Sequence, residues 1–204
     1  MRIELKTGPI VNPAVTLADV KTYAFKNTSS YDGKITSLLI PEQQYLEEYI
    51  GRKLIDQSWY IYLDALEYSD RLQAYNKSIT LSTFNVSSIV EVTKYDQFNT
   101  ATVETASNYR LSGNQLSDVS MLVYNDTYSP TMNNLRTVDA VRIEVIAGYG
   151  LLAADVPGTI IQALSVQIDQ KVRFGNKITE SSTESFNENY QNLLMPYRSV
   201  ENWY

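Results

Sequence analysis

One stretch, residues 141–174, constrains what the rest of the chain can become. Val141, Ile143 and Val145 alternate with Arg142 and Glu144, which is the period of a half-buried strand. Ala147-Gly148-Tyr149-Gly150 follows, and glycine can take the positive φ that a tight turn out of a strand demands. Asp155-Val156-Pro157 then has the form of a helix start, with proline at the first helical position and Asp155 beside the positive helix end. Ile160, Ile161, Leu164, Ile168 and Val172 recur at helical spacing. A β-rich region therefore ends here and a long amphipathic helix begins.

The residues before this stretch divide in two. Residues 1–15 are expected to be extended, since Pro9 and Pro13 keep them out of helix. Thr16-Leu17-Ala18-Asp19 has the pattern of a capping box with Asp19 in place of glutamate, opening a short helix with Leu17, Val20 and Phe25 inward. A second helix starts with Asp32 as expected N-cap. It carries Ile35, Leu38, Leu39, Leu46, Tyr49 and Ile50 on one stripe and is capped by Gly51. Pro41 interrupts it and is expected to kink or restart it. Glu47-Glu48 is expected on its solvated face.

From Ser58 the period changes to two. Trp59–Leu63, Ser78–Leu81, Val86–Tyr95, Tyr109–Leu111, Met121–Tyr124 and Val141–Ile146 form six strand candidates separated by polar turns, a small antiparallel sheet or sandwich. Residues 126–137, with Pro130 and Asn133-Asn134, make a long loop, expected to be an interaction loop or mobile. After the helix that follows Pro157, Gly175–Thr183 is polar, and a last helix is expected over residues 184–195. Phe186, Tyr190, Leu193 and Leu194 lie on one side of it and Pro196 ends it. The order is helices, strands, helices. Neither helical pair makes a core alone, so the expected fold is α+β. A discontinuous helical bundle, two N-terminal and two C-terminal helices, carries an inserted small antiparallel β domain. The expected parts are 1–57, 58–150 and 151–204.

Composition removes several classes of function. The 204 residues contain no cysteine and no histidine. Disulfide frameworks, thiol chemistry, histidine bases or metal ligands and the usual hydrolase triads are therefore excluded. The formal charge of −6 argues against a surface built to coat nucleic acid or anionic membrane. No apolar run is long enough to span a bilayer and the N-terminal residues lack a signal-peptide core, so folding in a cytoplasm is the expectation. Gly148-Tyr149-Gly150 lacks the further residues of a phosphate loop or dinucleotide fingerprint. Asp64, Glu67 and Asp70 match no calcium loop and are read as a solvated turn. Lys171 and Arg173 are read as complementing a helix dipole. Sixteen tyrosines suit half-buried sheet faces and protein interfaces better than a stacking site for sugars or bases.

Four stretches, in order, carry a resemblance. They are Val15-Thr16-Leu17-Ala18-Asp19-Val20-Lys21, and Tyr45-Leu46-Glu47-Glu48-Tyr49-Ile50-Gly51-Arg52-Lys53-Leu54-Ile55 with Gln57-Ser58-Trp59. Ala147-Gly148-Tyr149-Gly150 with Val156-Pro157 comes third, and Leu193-Leu194-Met195-Pro196-Tyr197-Arg198 fourth. Together they resemble the head-to-tail connector (adaptor, or head-completion) proteins of tailed bacteriophages. Pro41, Val172-Arg173-Phe174 and the tail beyond Arg198 depart from that pattern.

The resemblance implies a structural role with no catalytic site, cofactor or metal. Such proteins form a ring beneath the portal, twelvefold by family habit, extend the DNA channel and dock the next neck or tail component. DNA passes without specific binding, no membrane is involved, and the protein resides in the virion neck after assembly in the host cytoplasm. The expected contact with portal or neighbouring copies is C-terminal: Tyr190, Leu193, Leu194, Pro196, Tyr197, Arg198, Trp203 and Tyr204, because aromatic and arginine side chains are the usual interface anchors. Leu193 and Leu194 are expected mostly to pack, and deletion from Tyr197 onward is expected to leave a folded subunit. The alternatives are a stand-alone β-rich module binding a sugar or peptide, and a carboxylate-only glycosidase. No pair of carboxylates is singled out for the latter.

Overall fold

The computed structural model describes residues 1–6, 12–24, 29–74, 77–81, 85–113, 119–131, 133–174, 190 and 192–198. The chain forms two units. One comprises Met1–Gly8 and Asp56–Gly148, the other Pro9–Ile55 and Tyr149–Tyr204. The fold is α+β, with antiparallel sheets in the first unit and helices in the second.

The sheet unit holds strands β1 (Arg2–Leu5), β2 (Gln57–Leu63), β3 (Ser78–Thr80), β4 (Val86–Tyr95), β5 (Ala101–Val103), β6 (Tyr109–Ser112), β7 (Met121–Tyr124) and β8 (Val141–Ala147). They make a five-stranded sheet, order β1-β2-β8-β4-β5, and a three-stranded sheet, order β3-β7-β6. All six strand candidates are present. β1 and β5 are additions, and β1 takes the first residues out of the helical part in which they were expected. Its alternation of Arg2 and Glu4 with Ile3 and Leu5 fits a strand, but four residues are too few to stand out without β2 beside them.

One face of the larger sheet carries Ile61, Ile143 and Val92 in one row of the register and closes on the core with Tyr68, Leu72, Ile79, Leu81 and Leu122. The other face carries Arg2, Tyr62, Arg142 and Thr93 in one row, then Glu4, Tyr60, Glu144 and Glu91 in the next. There the Arg2 guanidinium lies 3.9 Å from the Tyr62 ring centroid and that of Arg142 lies 4.8 Å from Tyr60.

One sequence expectation fails in this unit. Asp64, Glu67 and Asp70 do not lie in a plain turn, because Ala65–Ala74 is a helix, α3. Tyr68 and Leu72 face the core one turn apart, and Glu67 pairs with Arg71 across i,i+4 at 2.9 Å. The 126–137 segment is a loop, as expected, and its described residues are tied to the sheet unit. Lys77 Nζ donates to the carbonyls of Asp126 and Tyr128, both at 2.8 Å, and Lys94 Nζ donates to that of Thr131 at 3.1 Å. The Gln97 amide donates to the Asn134 carbonyl at 2.9 Å, and Leu135 bridges Asp96.

Beneath that segment Lys94 pairs with Glu104, which also accepts from the Tyr128 hydroxyl, while the Tyr68 and Tyr124 hydroxyls meet at 2.8 Å. Burial pushes the Tyr68 and Tyr124 hydroxyls well above the ordinary range and Tyr128 to about 12. These tyrosines are packing groups. For Glu104, burial raises the carboxyl, but hydrogen bonds from Lys94 and Tyr128 outweigh it and leave its pKa below the ordinary value. A depressed carboxyl contributes stability that is complete above its unfolded-state pKa and lost as pH falls through the folded one. Glu104→Gln is therefore expected to lower stability at neutral pH and to flatten the acid limb of a stability–pH profile. An unchanged acid limb would contradict this.

The helical unit contains α1 (Leu17–Ala24), α2 (Asp32–Ile50) and α4 (Gly158–Phe174), with α4 packed on both others. Val20, Ile35, Leu39, Leu46, Ile50, Ile160, Leu164, Ile168 and Val172 form its core. The capping box is present: the Thr16 amide donates to Asp19 Oδ2 at 2.8 Å and the Asp19 amide to Thr16 Oγ1 at 3.1 Å. Gly51 caps α2 with φ 71° and donates its amide to the Glu47 carbonyl at 3.0 Å.

Several expectations are corrected here. Asp32 is the first residue of α2, Tyr31 is the N-cap, and the Asp32 carboxylate pairs with Lys21 at 2.7 Å. α2 runs through Pro41 without restarting, because the core residues Leu39 and Leu46 on either side hold both halves in the packed stripe. Asp155 does not start α4. It closes a 3-10 turn, Ala153–Asp155, by accepting the Leu152 amide at 3.0 Å, and the Pro157 carbonyl takes the first amides of α4. Lys171 and Arg173 do lie in the last turn of α4, as expected, and each also pairs with an acid, Lys171 with Glu42 at 2.7 Å and Arg173 with Asp169 at 2.6 Å, while Lys34 reaches the Val172 carbonyl at 2.9 Å. Glu48 is exposed, but Glu47 is not: it is 2% exposed and accepts from Gln43 Nε2 and the Leu54 amide, each at 3.0 Å.

Candidate docking surface

The C-terminal segment is anchored before it is exposed. Leu194 is fully buried, Tyr190 nearly so, and Leu193 and Tyr197 pack against the same helical core. The Tyr190 ring lies 6.1 Å from that of Tyr49, tilted by 38°, and burial raises its hydroxyl pKa. Met195–Tyr197 then forms a 3-10 turn with Pro196 in its first positions, where a missing amide hydrogen costs nothing.

Arg52 organises this turn. It is 2% exposed, directly follows the glycine cap of α2, and its Nε donates to the Tyr197 carbonyl at 2.6 Å. The Tyr149 hydroxyl is pushed up by burial, and the neighbouring Arg52 charge opposes that push. Three of the four stretches that carry the resemblance therefore meet at one guanidinium. An arginine set immediately after a helix-capping glycine was the signal available in the sequence.

The side chains presented outward are fewer than expected. Met195 is 73% exposed and Pro196 is exposed, while the Arg198 guanidinium sits 5.0 Å from the Tyr49 ring centroid. The segment thus divides into anchors (Tyr190, Leu193, Leu194, Tyr197) and a presented tip (Met195, Pro196), with Arg198 half-buried beside Tyr49. Trp203, Tyr204 and Phe186 lie outside the described residues. The deletion from Tyr197 onward acquires a structural cost, because it takes one acceptor from a buried arginine.

The chain has the fold of a phage-like neck protein. Over 98% of its length it superposes on 96% of a chain in the neck of an empty gene transfer agent particle solved with sixfold symmetry, with TM-score 0.74 and 17% identity. A chain in the virion of a native gene transfer agent particle gives TM-score 0.73 at 17% identity, and one in the native neck solved with twelvefold symmetry gives 0.66 at 16%, both with the same coverage. No protein-family model and no curated protein matches the sequence. At such identity it is the fold that is shared, not a residue-level site.

Proposed function

We propose that this chain is a structural neck component of a phage-like particle, a head-to-tail connector that forms a ring beneath the portal, extends the DNA channel and docks the next neck or tail protein. The observation that carries this reading is the match to neck structures along the whole chain, both units included. The docking end of the helical unit supports it. A turn fastened by buried Arg52 presents Met195 and Pro196 beside the half-buried Arg198, and a rigid base with methionine at its tip suits a protein interface. Met195→Ser combined with Arg198→Ala is expected to lower thermal stability only modestly, through loss of the Arg198–Tyr49 contact, and to cut attachment to portal-bearing, DNA-filled heads by at least about tenfold. Wild-type attachment by the double variant would move the portal contact elsewhere on the chain.

The channel role has its own test. Phosphate binding needs free lysine and arginine. Arg2, Lys6, Lys21, Lys94, Arg142 and Lys171 are each paired with a carboxylate, in a chain of net charge −6. The isolated protein is expected to show no appreciable duplex DNA binding near physiological salt. A gel shift at micromolar protein that only high salt abolishes would count against it.

A further inference from the structure

The larger sheet ends in β1 on one side and β5 on the other, and the ladder fixes which backbone groups are left over there. In an antiparallel pair, every second pair of facing residues exchanges hydrogen bonds, and the residues between turn their amide and carbonyl the other way. The Lys6 amide donates to the Ser58 carbonyl at 2.9 Å, so Lys6, Glu4 and Arg2 bond to β2, while Ile3 and Leu5 turn their peptide groups away from the sheet. At the far edge the Glu104 amide donates to the Val92 carbonyl at 2.8 Å, so Thr102 bonds to Lys94 of β4, while Ala101 and Val103 turn theirs away. These outward amides and carbonyls have no backbone partner among the described residues.

Exposed edges are normally defended, by charged side chains standing past the edge, by bulges or by proline. β4 is defended where β5 does not cover it: its register with β8 shifts between Val86 and Ser88 and again between Ile89 and Glu91. The two outer edges are not. β5 is Ala101-Thr102-Val103, uncharged, regular in register and exposed throughout. β1 is also free of bulges and proline. It carries Arg2 and is followed by Lys6, but both side chains lie back across the sheet. The Arg2 guanidinium sits over the Tyr62 ring of β2 and pairs with Asp139, and the Lys6 ammonium pairs with Glu144 of β8 at 2.5 Å.

An undefended edge fits one kind of ligand, an extended backbone, and the sheet itself supplies one. Every neighbouring pair from β1 through β2, β8 and β4 to β5 is antiparallel, so β1 and β5 run in the same direction. A rotated copy set alongside therefore brings its β1 parallel to β5, with the same face of both sheets outward. Each strand offers two outward residues at the same spacing, enough for about three hydrogen bonds of a parallel ladder. Charge favours an unlike partner for β1. Two β1 edges related by a twofold axis run antiparallel, and the register that uses both outward residues sets Glu4 opposite its own copy, like charge on like charge. Against β5 the same Glu4 meets only Ala101 and Val103 on its face of the sheet.

Resting on the connector reading above, we propose that the β5 edge of one copy pairs in parallel with the β1 edge of the next, joining the sheets of neighbouring subunits head to tail. Two unlike edges on one sheet are what a contact repeated by rotation requires. A ladder limited by the three residues of β5 and the four of β1 covers far less than the about 800 Å² per partner of a stable pairwise interface. The contact is therefore weak between two free subunits and holds where a ring closes and every subunit is held on both sides.

The absence of cysteine makes the test direct. Glu4→Cys and Val103→Cys are introduced singly and together, and the proteins are treated with a short bismaleimide after attachment to portal-bearing heads. Within one chain the two positions lie on opposite edges of the sheet, four strand spacings or about 19 Å apart, so a short linker joins them only between chains. The expected result is a ladder of multimers from the double variant, a dimer from the mixed single variants and no product from either alone. A dimer from either single variant would overturn the proposal in favour of a symmetric pairing. Normal attachment to heads without any ladder would overturn the contact and leave the connector reading standing. Failure of the unsubstituted chain to attach at all would overturn both. Leu5→Pro, added to the double variant, removes an outward amide that the sheet does not use. It is expected to leave the chain folded, by circular dichroism, and to cut the ladder by at least about tenfold; an undiminished ladder would likewise overturn the contact.

Discussion

Gly148→Ala is expected to destabilise the protein by on the order of 3–5 kcal/mol. Gly148 has φ +153°, where a side chain is strained whatever the space around it. Space is also lacking: a β-carbon would lie 2.5 Å from the Asp56 backbone nitrogen and 2.6 Å from its Cα. Backbone cannot rotate aside as a side-chain tip can, so β8 and the chain at Asp56 would have to separate. Gly150→Ala is expected to cost less. Its clashes, 2.3 Å from Asp155 Oδ2 and 2.5 Å from Asp155 Cβ and Cγ, are with side-chain atoms: the carboxylate can swing away by giving up the Leu152 amide, while the Cβ has to move with its 3-10 turn. Gly33→Ala is the control. Nothing lies within 4 Å of its added carbon, and inside α2 alanine is expected to gain roughly 0.5–1 kcal/mol. Denaturant midpoints for the three variants test the order. A Gly148→Ala protein as stable as Gly33→Ala would refute the close approach.

Glu47→Ala is expected to cost about 3 kcal/mol or more. The carboxylate lies inside the helical unit, accepts from Gln43 Nε2 and the Leu54 amide, and has Lys53 Nζ at 3.7 Å. Removing it leaves a buried amide hydrogen and an inward-facing glutamine without their acceptor, and an unsatisfied buried donor carries its full desolvation penalty. Glu48→Ala, one residue on and exposed, is expected to fall within about 0.5 kcal/mol of the parent. Equal losses from the two neighbours, measured by thermal or chemical unfolding, would show that Glu47 is not the hub of this corner.

These two glutamates also show how far the sequence could be read. Two adjacent acids look like a solvated face, yet Leu39, Gln43, Leu46, Glu47 and Ile50 share one stripe of α2, and the donors that satisfy Glu47 there include the Leu54 amide, beyond the end of the helix. The strands with strict alternation, the Thr16–Asp19 box and the Gly51 cap were legible because each is decided by near neighbours in sequence. β5 was not. Its three residues are all exposed, and only pairing with Thr93–Tyr95 makes them a strand. α3 was hidden by its charges, although Tyr68 and Leu72 sit a helical turn apart.

At the docking surface the residue types were legible and their division was not. The apolar stripe and the arginine stand in the sequence, but whether Tyr197 points to solvent or rests on the core is decided by Arg52, which lies far away in the chain. The exposure of Leu151, Leu152 and Phe98 is likewise a property of packing, because nothing in a leucine or phenylalanine announces that it has been left outside.

The division of the helical unit into Pro9–Ile55 and Tyr149–Tyr204 sets the order in which the protein can mature on the ribosome. α1 and α2 are made early, but α4, against which both pack, is made only after all of Asp56–Gly148. The sheet unit is complete as a sequence once Gly148 has been made, and it can close while the ribosome is still adding α4. Closing a loop of that length adds only a logarithmic entropy cost to final stability, but it delays the contact. Through that interval the apolar stripe of α2 waits without its partner, the state in which a nascent chain is most exposed to aggregation and to chaperones. The sheet unit, which separates the halves in sequence, is therefore the part whose rapid closure shortens the wait.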